Sequence, residues 1–231
     1  EEWRGKSEMI ADQIIAYGSA FIGAMTFAVT DSHWFNAVEA EVYSMSTFFT
    51  GICVWLILAW SKNSGESGNV RYILIIAYML GLATGIHLLN LLTLPFIALI
   101  IYFKKYNYSH QGFIVTIGLT LLSFMIIYLG IIKGIPNLAN DYGLYAPVLA
   151  VLFVFIAMIY AIKNENNTWS VILTCLVLVF IGFSTYATIF IRASQHPNIN
   201  ENNPDTIEGA LAYMNRDQYG DWSILDRKST L

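Results

Sequence analysis

Charged residues are scarce in this chain: they make up 12% of its 231 residues, whereas 56% are hydrophobic, and the mean hydropathy is +0.56. Soluble domains carry about 25% charged residues, so a soluble fold of this length could not bury so many apolar segments. The deficit therefore excludes an ordinary soluble enzyme and predicts an integral membrane protein. Because the basic residues form no stripe, we expect no nucleic-acid partner.

Cysteine is almost absent. Cys53 and Cys175 both fall inside apolar segments, and neither belongs to a C-x-x-C or another ligand-like spacing. This pattern excludes a disulfide framework and a zinc site and predicts buried, inert thiols. The chain also lacks a positively charged signal region at its start. We interpret the chain, which begins Glu-Glu-Trp, as a piece of a longer protein.

Long apolar segments dominate what is present. They cover residues 11–30, 45–61, 71–86, 88–103, 113–132, 145–162 and 169–191, and several match the ~20 residues that cross a bilayer as a helix. The stretch 71–103 is too long for one helix, and the polar pair His87 and Asn90 interrupts it, so we interpret it as a tight hairpin of two short helices. The predicted fold is all-α: a polytopic membrane helix bundle of about seven transmembrane helices.

The predicted organisation is a transmembrane helical domain over 1–191 and an extracytoplasmic tail, or the start of a following domain, over 192–231. The tail is polar and rich in turn-forming residues. Within it, Asn203 is suited to cap a short amphipathic helix with Pro204 in its first position. Ile207 and Leu211 share one face of that helix.

Loop charge predicts the orientation. With the N-terminus in the cytoplasm, the basic residues of one side are Arg4, Lys6, Lys62, Arg71, Lys104, Lys105 and Lys163, and the other side receives Lys133 and Arg192. This bias agrees with the positive-inside rule, and a single helix over 71–103 would destroy it. The acidic stretch near residue 35, the His87 turn, loop 133–144 and the C-terminus then all lie on the extracytoplasmic side.

The main candidate site is Asp31-Ser-His-Trp-Phe-Asn-Ala-Val-Glu-Ala-Glu-Val-Tyr43, between the first two apolar segments. Ionisable groups at a membrane boundary are costly unless they are solvated, paired or used. One interpretation is a water-exposed helix end, with acids capping a helix that starts near Asn36. The other is a functional cluster of Asp31, His33, Glu39 and Glu41, because capping explains the first acid and not the two glutamates. A divalent-metal site of Asp31, His33 and one glutamate is compatible with ligand chemistry but has no recognised spacing, so we predict no metal ligand.

Three further residues are candidates outside that stretch. His87 either stabilises a helix bend through a hydrogen bond or faces the same external cavity as the acids, with Asn90 beside it. Gly81 and Gly85, four residues apart, would let another helix approach closely. Arg192 either extends to phospholipid headgroups or pairs with a substrate phosphate, for which its guanidinium is well matched.

These residues suggest a family. The stretch from His33 to Tyr43, followed by Gly81-Leu-Ala-Thr-Gly-Ile-His-Leu-Leu-Asn90 and Pro95, resembles the DUF2723 membrane proteins, relatives of the protein O-mannosyltransferases in the GT-C class. The tail resembles that of the large Bacteroidetes members. The resemblance implies an enzyme of the bacterial inner membrane that transfers a sugar from a polyprenyl-phosphate donor to a protein hydroxyl on the periplasmic face. It places the general base in a first external loop upstream of this chain, so no catalytic residue is assigned here.

We therefore predict a fragment of a membrane glycosyltransferase. Its predicted substrate-binding residues are Glu39, Glu41, His33, His87, Asn90 and Arg192. The expected partners are membrane lipid, the lipid-linked sugar and an extracytoplasmic protein acceptor, and no further cofactor is assigned. The alternatives are a transporter with an external acidic site and a non-catalytic membrane scaffold whose polar stretch docks a partner. The absence of a visible internal repeat disfavours the transporter.

Overall fold

A computed structural model describes residues 2–39, 42–65 and 68–215, with side chains from residue 9 onward. These residues contain helices and no strand, which confirms the all-α prediction. The α-helices are α1 (Glu2–Ala28), α2 (Asp31–Val38), α3 (Tyr43–Lys62), α4 (Val70–Ile86), α5 (Thr93–Lys105), α6 (His110–Met125), α7 (Ile135–Tyr142), α8 (Tyr145–Lys163), α9 (Asn167–Ser184), α10 (Ala187–Ala193) and α11 (Ile207–Asn215). A 3₁₀ segment, Leu88–Leu92, precedes α5, and a π-helical segment, Ile126–Gly134, joins α6 to α7.

Six helical stretches among the described residues are long and apolar enough to cross a membrane. They are Met9–Ala28, Tyr43–Lys62, Leu88–Lys105, His110–Tyr142, Tyr145–Lys163 and Asn167–Ala193. The remaining predicted span is the shorter apolar helix Val70–Ile86, of 17 residues. The described helices are thus those of an integral membrane bundle.

The chain divides into two compact units, 1–48 and 49–231, with the boundary inside α3. The first unit contains α1 and α2. No residue of the stretch Met9–Ala28 is buried, and large apolar side chains such as Ile14 and Phe21 are each 67% exposed. Such a surface is unfavourable in water and favourable in the hydrocarbon of a bilayer.

The second unit has two apolar clusters. In α3 the buried residues Cys53, Leu56, Ile57 and Trp60 recur at helical spacing and form one stripe. That stripe packs on Ile76 and Leu80 of α4 and on Ile97 of α5. The second cluster joins α4, the 3₁₀ segment, the π segment and α9, and its members are Ala77, Leu91, Ile127, Ile131, Ile132, Val179 and Phe183. Of the two cysteines, both free thiols, Cys53 is buried as predicted and Cys175 is only half-buried.

Helices α4 and α9 approach each other closely through glycine. A Cβ atom on Gly182 would lie 2.6 Å from the carbonyl oxygen of Tyr78 and 2.7 Å from the amide nitrogen of Leu82. A Cβ atom on Gly81 would likewise collide with the carbonyl oxygen of Val179, whereas one on Gly85 would make ordinary contact with Tyr186. The close approach predicted for this glycine pair is therefore confirmed at Gly81.

The predicted interruption of 71–103 is confirmed. Helix α4 ends at Ile86, and His87 is extended, with φ −154° and ψ 127°. The chain then forms the 3₁₀ segment before α5 begins at Thr93. Two helices, and not one, occupy this stretch.

The stretch 133–144, predicted as a loop, is mostly helical. The π-helical segment continues α6 directly into α7, so that His110–Tyr142 is one helical stretch with Pro136 inside it. Gly143, with φ +84°, ends α7. Its polar residues Asn137 and Asn140 occupy the exposed side of this short helix, and Ala139 on the other side is buried.

The tail helix begins later than predicted. Asn202 and Asn203 adopt positive φ angles of 58° and 42°, so neither starts a helix. Thr206 takes the capping role instead, because its hydroxyl accepts the N–H of Gly209 at 3.0 Å. Helix α11 then runs over Ile207–Asn215, packs on α7, and places Met214 against the second apolar cluster.

Candidate functional site

Residues Asp31–Val38 of the acidic stretch form the short helix α2. Helix α2 begins at Asp31, so the predicted start near Asn36 is wrong. Thr30 precedes it in an extended conformation, and its hydroxyl donates to the carbonyl of Phe27 at 2.8 Å instead of capping α2. Asp31 lies in the first turn, where the positive end of the helix dipole favours a carboxylate. The helix therefore explains Asp31 without any functional role.

His33 lies on the same helix and faces the end of α1. Its ring centroid is 4.4 Å from that of Phe27, with the planes tilted by 34°. Trp34 and Phe35, its neighbours, are 58% and 62% exposed. His33 is thus half-buried against an aromatic ring within an otherwise accessible surface.

Glu39 ends α2. Its backbone is extended, with φ −78° and ψ 153°, and its N–H donates to the carbonyl of Phe35 at 3.1 Å. Its side chain is exposed. The carbonyl end of a helix disfavours negative charge, so the helix gives no reason for an acid at this position. Glu41 lies outside the described residues.

The described part of the acidic stretch does not form the metal site considered from the sequence. No group of three His, Cys, Asp or Glu residues that could hold a metal ion occurs among the described residues. Asp31 and His33 are two apart on α2 and do not face each other. Glu39 follows at the far end of the helix, about 12 Å along the axis from Asp31. These three side chains do not converge on one ion.

His87 and Asn90 form a hydrogen-bonded turn between α4 and α5. His87 donates its N–H to the carbonyl of Ala83 at 2.8 Å, and its Nδ1 accepts the N–H of Leu89 at 3.2 Å. Asn90 is 1% exposed. Its Nδ2 donates to the carbonyls of Ala83 at 3.1 Å and His87 at 2.9 Å. The structural interpretation of His87, a histidine at a helix bend, is the one that the hydrogen bonds support.

Thr50 completes this network, and it was not a candidate from the sequence. Its hydroxyl donates to Oδ1 of Asn90 at 3.0 Å, which ties α3 to the turn. Thr93 adds a bond from its hydroxyl to the carbonyl of Asn90 at 2.7 Å. No sequence signal distinguished Thr50, because the apolar segment 45–61 also contains the hydroxyls of Ser46, Thr47 and Ser61. We name His87, Asn90, Thr50 and Thr93 the polar turn.

Arg192 lies elsewhere in the second unit. It occupies the last turn of α10, where the negative end of the helix dipole favours a cation, and its side chain is exposed. The next residue, Ala193, is buried, and its carbonyl accepts Nδ2 of Asn200 at 3.4 Å. The structure groups His87 with Asn90 and does not add Arg192 to their hydrogen bonds.

Residues 2–110, which contain both the acidic stretch and the polar turn, match the family model described as protein O-mannosyl-transferase TMEM260 N-terminal domain. The match supports an O-mannosyltransferase-like family. Such a domain in a chain of membrane-spanning helices suggests a membrane glycosyltransferase. No curated protein and no solved structure matches the chain.

Proposed function

We propose that this chain is part of a glycosyltransferase that moves a sugar from a polyprenyl-phosphate donor to a protein hydroxyl at the extracytoplasmic face. The family match over residues 2–110 supports transfer to protein. The resemblance to the DUF2723 proteins of Bacteroidetes adds the donor, the GT-C class and the bacterial inner membrane. The bias of basic residues in the loops supports the orientation.

Within the site, the observation that supports the proposal most is the position of Glu39 at the end of α2. Its carboxylate is exposed and follows the negative end of α2, where it does not stabilise the helix. A carboxylate in such a position is available to hydrogen-bond sugar hydroxyls or to orient the acceptor. We assign this role to Glu39 and Glu41 together, with His33 as a neighbouring contact.

The polar turn has a different role in this proposal. Asn90 uses both amide hydrogens and its oxygen within the fold, so we assign it to support of the turn and not to substrate contact. His87, which is half-buried, is the member of the turn that remains a candidate for lining the site. Arg192, exposed at the end of α10, is the candidate partner of the donor phosphate.

The chemistry is displacement at the anomeric carbon. A base removes the proton of the acceptor hydroxyl as the hydroxyl oxygen bonds to that carbon. The bond from the carbon to the phosphate oxygen breaks, and the lipid phosphate leaves with the electron pair, stabilised by a cation. We assign the residues named above to binding and orientation, and none of them as the base.

The test is sugar transfer by the full-length protein in membrane vesicles. Radiolabelled polyprenyl-phosphate mannose is supplied with extracytoplasmic protein acceptors, for wild type, Glu39→Gln and Glu41→Gln. We expect the two substitutions to abolish transfer while the protein remains in the membrane at wild-type level. The matched control is Glu165→Gln, in the exposed turn between α8 and α9, which should transfer normally.

Two results would contradict the proposal. Full transfer by both variants would remove the glutamates from the site. No transfer from any of several sugar donors, with intact wild-type protein, would favour a transporter or a scaffold. His87→Asn belongs in the same series: loss of transfer there, with unchanged stability, would place His87 in contact with substrate.

A further inference from the structure

A cavity of about 490 Å³ lies among α4, α5, α6 and α9. Its lining residues include Ile76 and Ala77 of α4, Ala98 of α5, Thr120 of α6 and Cys175 of α9. An apolar cavity of ~150 Å³ holds one benzene molecule, so this cavity is large enough for a long hydrocarbon chain. The lining residues of α5 run from Leu94 to Tyr102, and no residue of the polar turn is among them.

The cavity wall offers few groups to a polar ligand. The hydroxyls of the three lining residues of α6 each donate to a carbonyl of that helix: Thr116 to Gly112 at 2.8 Å, Thr120 to Thr116 at 2.8 Å and Ser123 to Leu119 at 2.9 Å. The hydroxyl of Tyr102 is bonded to Ser109, whose carbonyl it donates to at 3.1 Å and whose N–H it accepts at 2.8 Å. The other lining residues are mainly aliphatic. A buried water needs two to four polar partners, so the wall favours hydrocarbon over water.

The cavity reaches the surface of the second unit. Leu119 and Tyr106 line it, yet they are 59% and 65% exposed. Leu119 belongs to the apolar stretch that is long enough to span a bilayer. A lipid chain can therefore enter sideways from the bilayer without crossing a polar barrier.

Basic residues gather at the end of the cavity marked by Tyr102 and Tyr106. Lys104 and Lys105 lie between these two tyrosines in sequence, and Lys105 lies over the Trp60 ring, with Nζ 5.8 Å from its centroid. Arg71 lies in the first turn of α4, two residues before the lining residue Ile73. Cations next to a membrane surface attract anionic headgroups.

We propose that this cavity binds an anionic phospholipid, with one acyl chain among α4, α5, α6 and α9 and the phosphate at Lys104 and Lys105. The aliphatic wall contacts the acyl chain, which enters from the bilayer beside Leu119. The two lysines attract the negatively charged phosphate. The site is separate from the proposed sugar-transfer site and does not depend on it. It would fix the packing of α6 and α9, between which the cavity lies.

The test is photocrosslinking of the purified chain in lipid nanodiscs. The probe is phosphatidylglycerol that carries a diazirine in one acyl chain, and mass spectrometry maps the crosslinked residues. We expect crosslinks concentrated on the cavity-lining residues and reduced by unlabelled phosphatidylglycerol more than by phosphatidylcholine. Ala98→Trp, which fills the cavity, should remove most of them, whereas Ala24→Trp on the exposed surface of α1 should not.

A second set of variants tests whether the lysines select an anionic headgroup. Lys104→Gln with Lys105→Gln should reduce the preference for phosphatidylglycerol over phosphatidylcholine by about fivefold per lysine. The matched control is Lys163→Gln, at the end of α8, a helix that contributes no residue to the cavity wall, and it should leave the preference unchanged.

Three results would overturn the proposal. The first is crosslinks spread evenly over exposed side chains such as Phe153, which is 73% exposed. The second is crosslinking that Ala98→Trp does not change although that variant folds normally by thermal unfolding. The third is displacement of the probe by polyprenyl phosphate and not by phosphatidylglycerol, which would assign the cavity to a different lipid.

Discussion

The polar turn and the acidic stretch both place polar residues between apolar helices, but they differ in how those residues are used. In the polar turn, Asn90 is 1% exposed and bonds to α3, to the end of α4 and to His87. In the acidic stretch, Asp31 and Glu39 are exposed and at opposite ends of a short helix. The hydrogen-bonding groups of the Asn90 side chain are thus used within the fold, whereas the two carboxylates remain accessible for binding.

The difference teaches that residue type alone does not identify a functional site in a membrane protein. A buried amide must satisfy its hydrogen bonds inside the protein, because hydrocarbon offers none. In the polar turn, the Asn90 amide meets this requirement with the Thr50 hydroxyl and the backbone carbonyls of Ala83 and His87. An exposed carboxylate can bond to water and has no such requirement. Because the end of α2 disfavours negative charge, the presence of an acid at Glu39 needs an explanation other than the fold.

The largest expected effect comes from the packing that holds the end of α4 in place. Gly182→Ala would push a methyl group against the backbone of α4 at Tyr78 and Leu82. Because backbone cannot move as a side chain can, we expect a loss of about 3 kcal/mol in the free energy of unfolding. Denaturation with SDS in mixed micelles measures this loss.

Gly118→Ala is the control for that variant. It lies inside α6, and a Cβ atom there would meet nothing within 4 Å. Alanine favours a helix over glycine by up to ~1 kcal/mol, so this variant should be equal to wild type or more stable. Equal effects of the two substitutions would contradict the close approach of α4 and α9.

A smaller effect is expected from the network itself. Asn90→Leu keeps the size of the side chain and removes its bonds to Ala83, His87 and Thr50. At ~0.6 kcal/mol for each such bond in a membrane protein, the loss should be about 2 kcal/mol by the same denaturation measurement.

Asn36→Leu makes the same chemical change in the acidic stretch and sharpens the comparison. Asn36 is half-buried on α2, and its side chain has no hydrogen bond with another described residue. We expect its stability to change by less than about 0.5 kcal/mol. A loss as large as that of Asn90→Leu would show that the acidic stretch is also held by a polar network.

Much of the fold could be predicted from the sequence, since the apolar segments and the interruption at His87 follow from hydropathy and glycine placement. The ends of the short helices could not. Asn203, Asp205 and Thr206 are all good capping residues. The left-handed backbone at Asn203 excludes that residue, and the N–H of Gly209 bonds to the hydroxyl of Thr206. The cavity was also beyond sequence reasoning, because its wall is drawn from four separate helices whose apolar residues look alike. In the candidate site, the burial of Asn90 could not be predicted, because it depends on a hydrogen bond from Thr50, which is 40 residues away in the sequence.

The smallest expected effect separates the two acids of α2 from each other. Asp31 lies at the positive end of the helix and Glu39 at the negative end. Asp31→Asn should therefore cost a few tenths of a kcal/mol, whereas Glu39→Gln should be neutral or slightly stabilising. Both values come from the same SDS denaturation, repeated at high salt, where screening should remove the difference. A clear loss of stability in Glu39→Gln would mean that this carboxylate serves the fold, and its effect on sugar transfer would then say nothing about substrate.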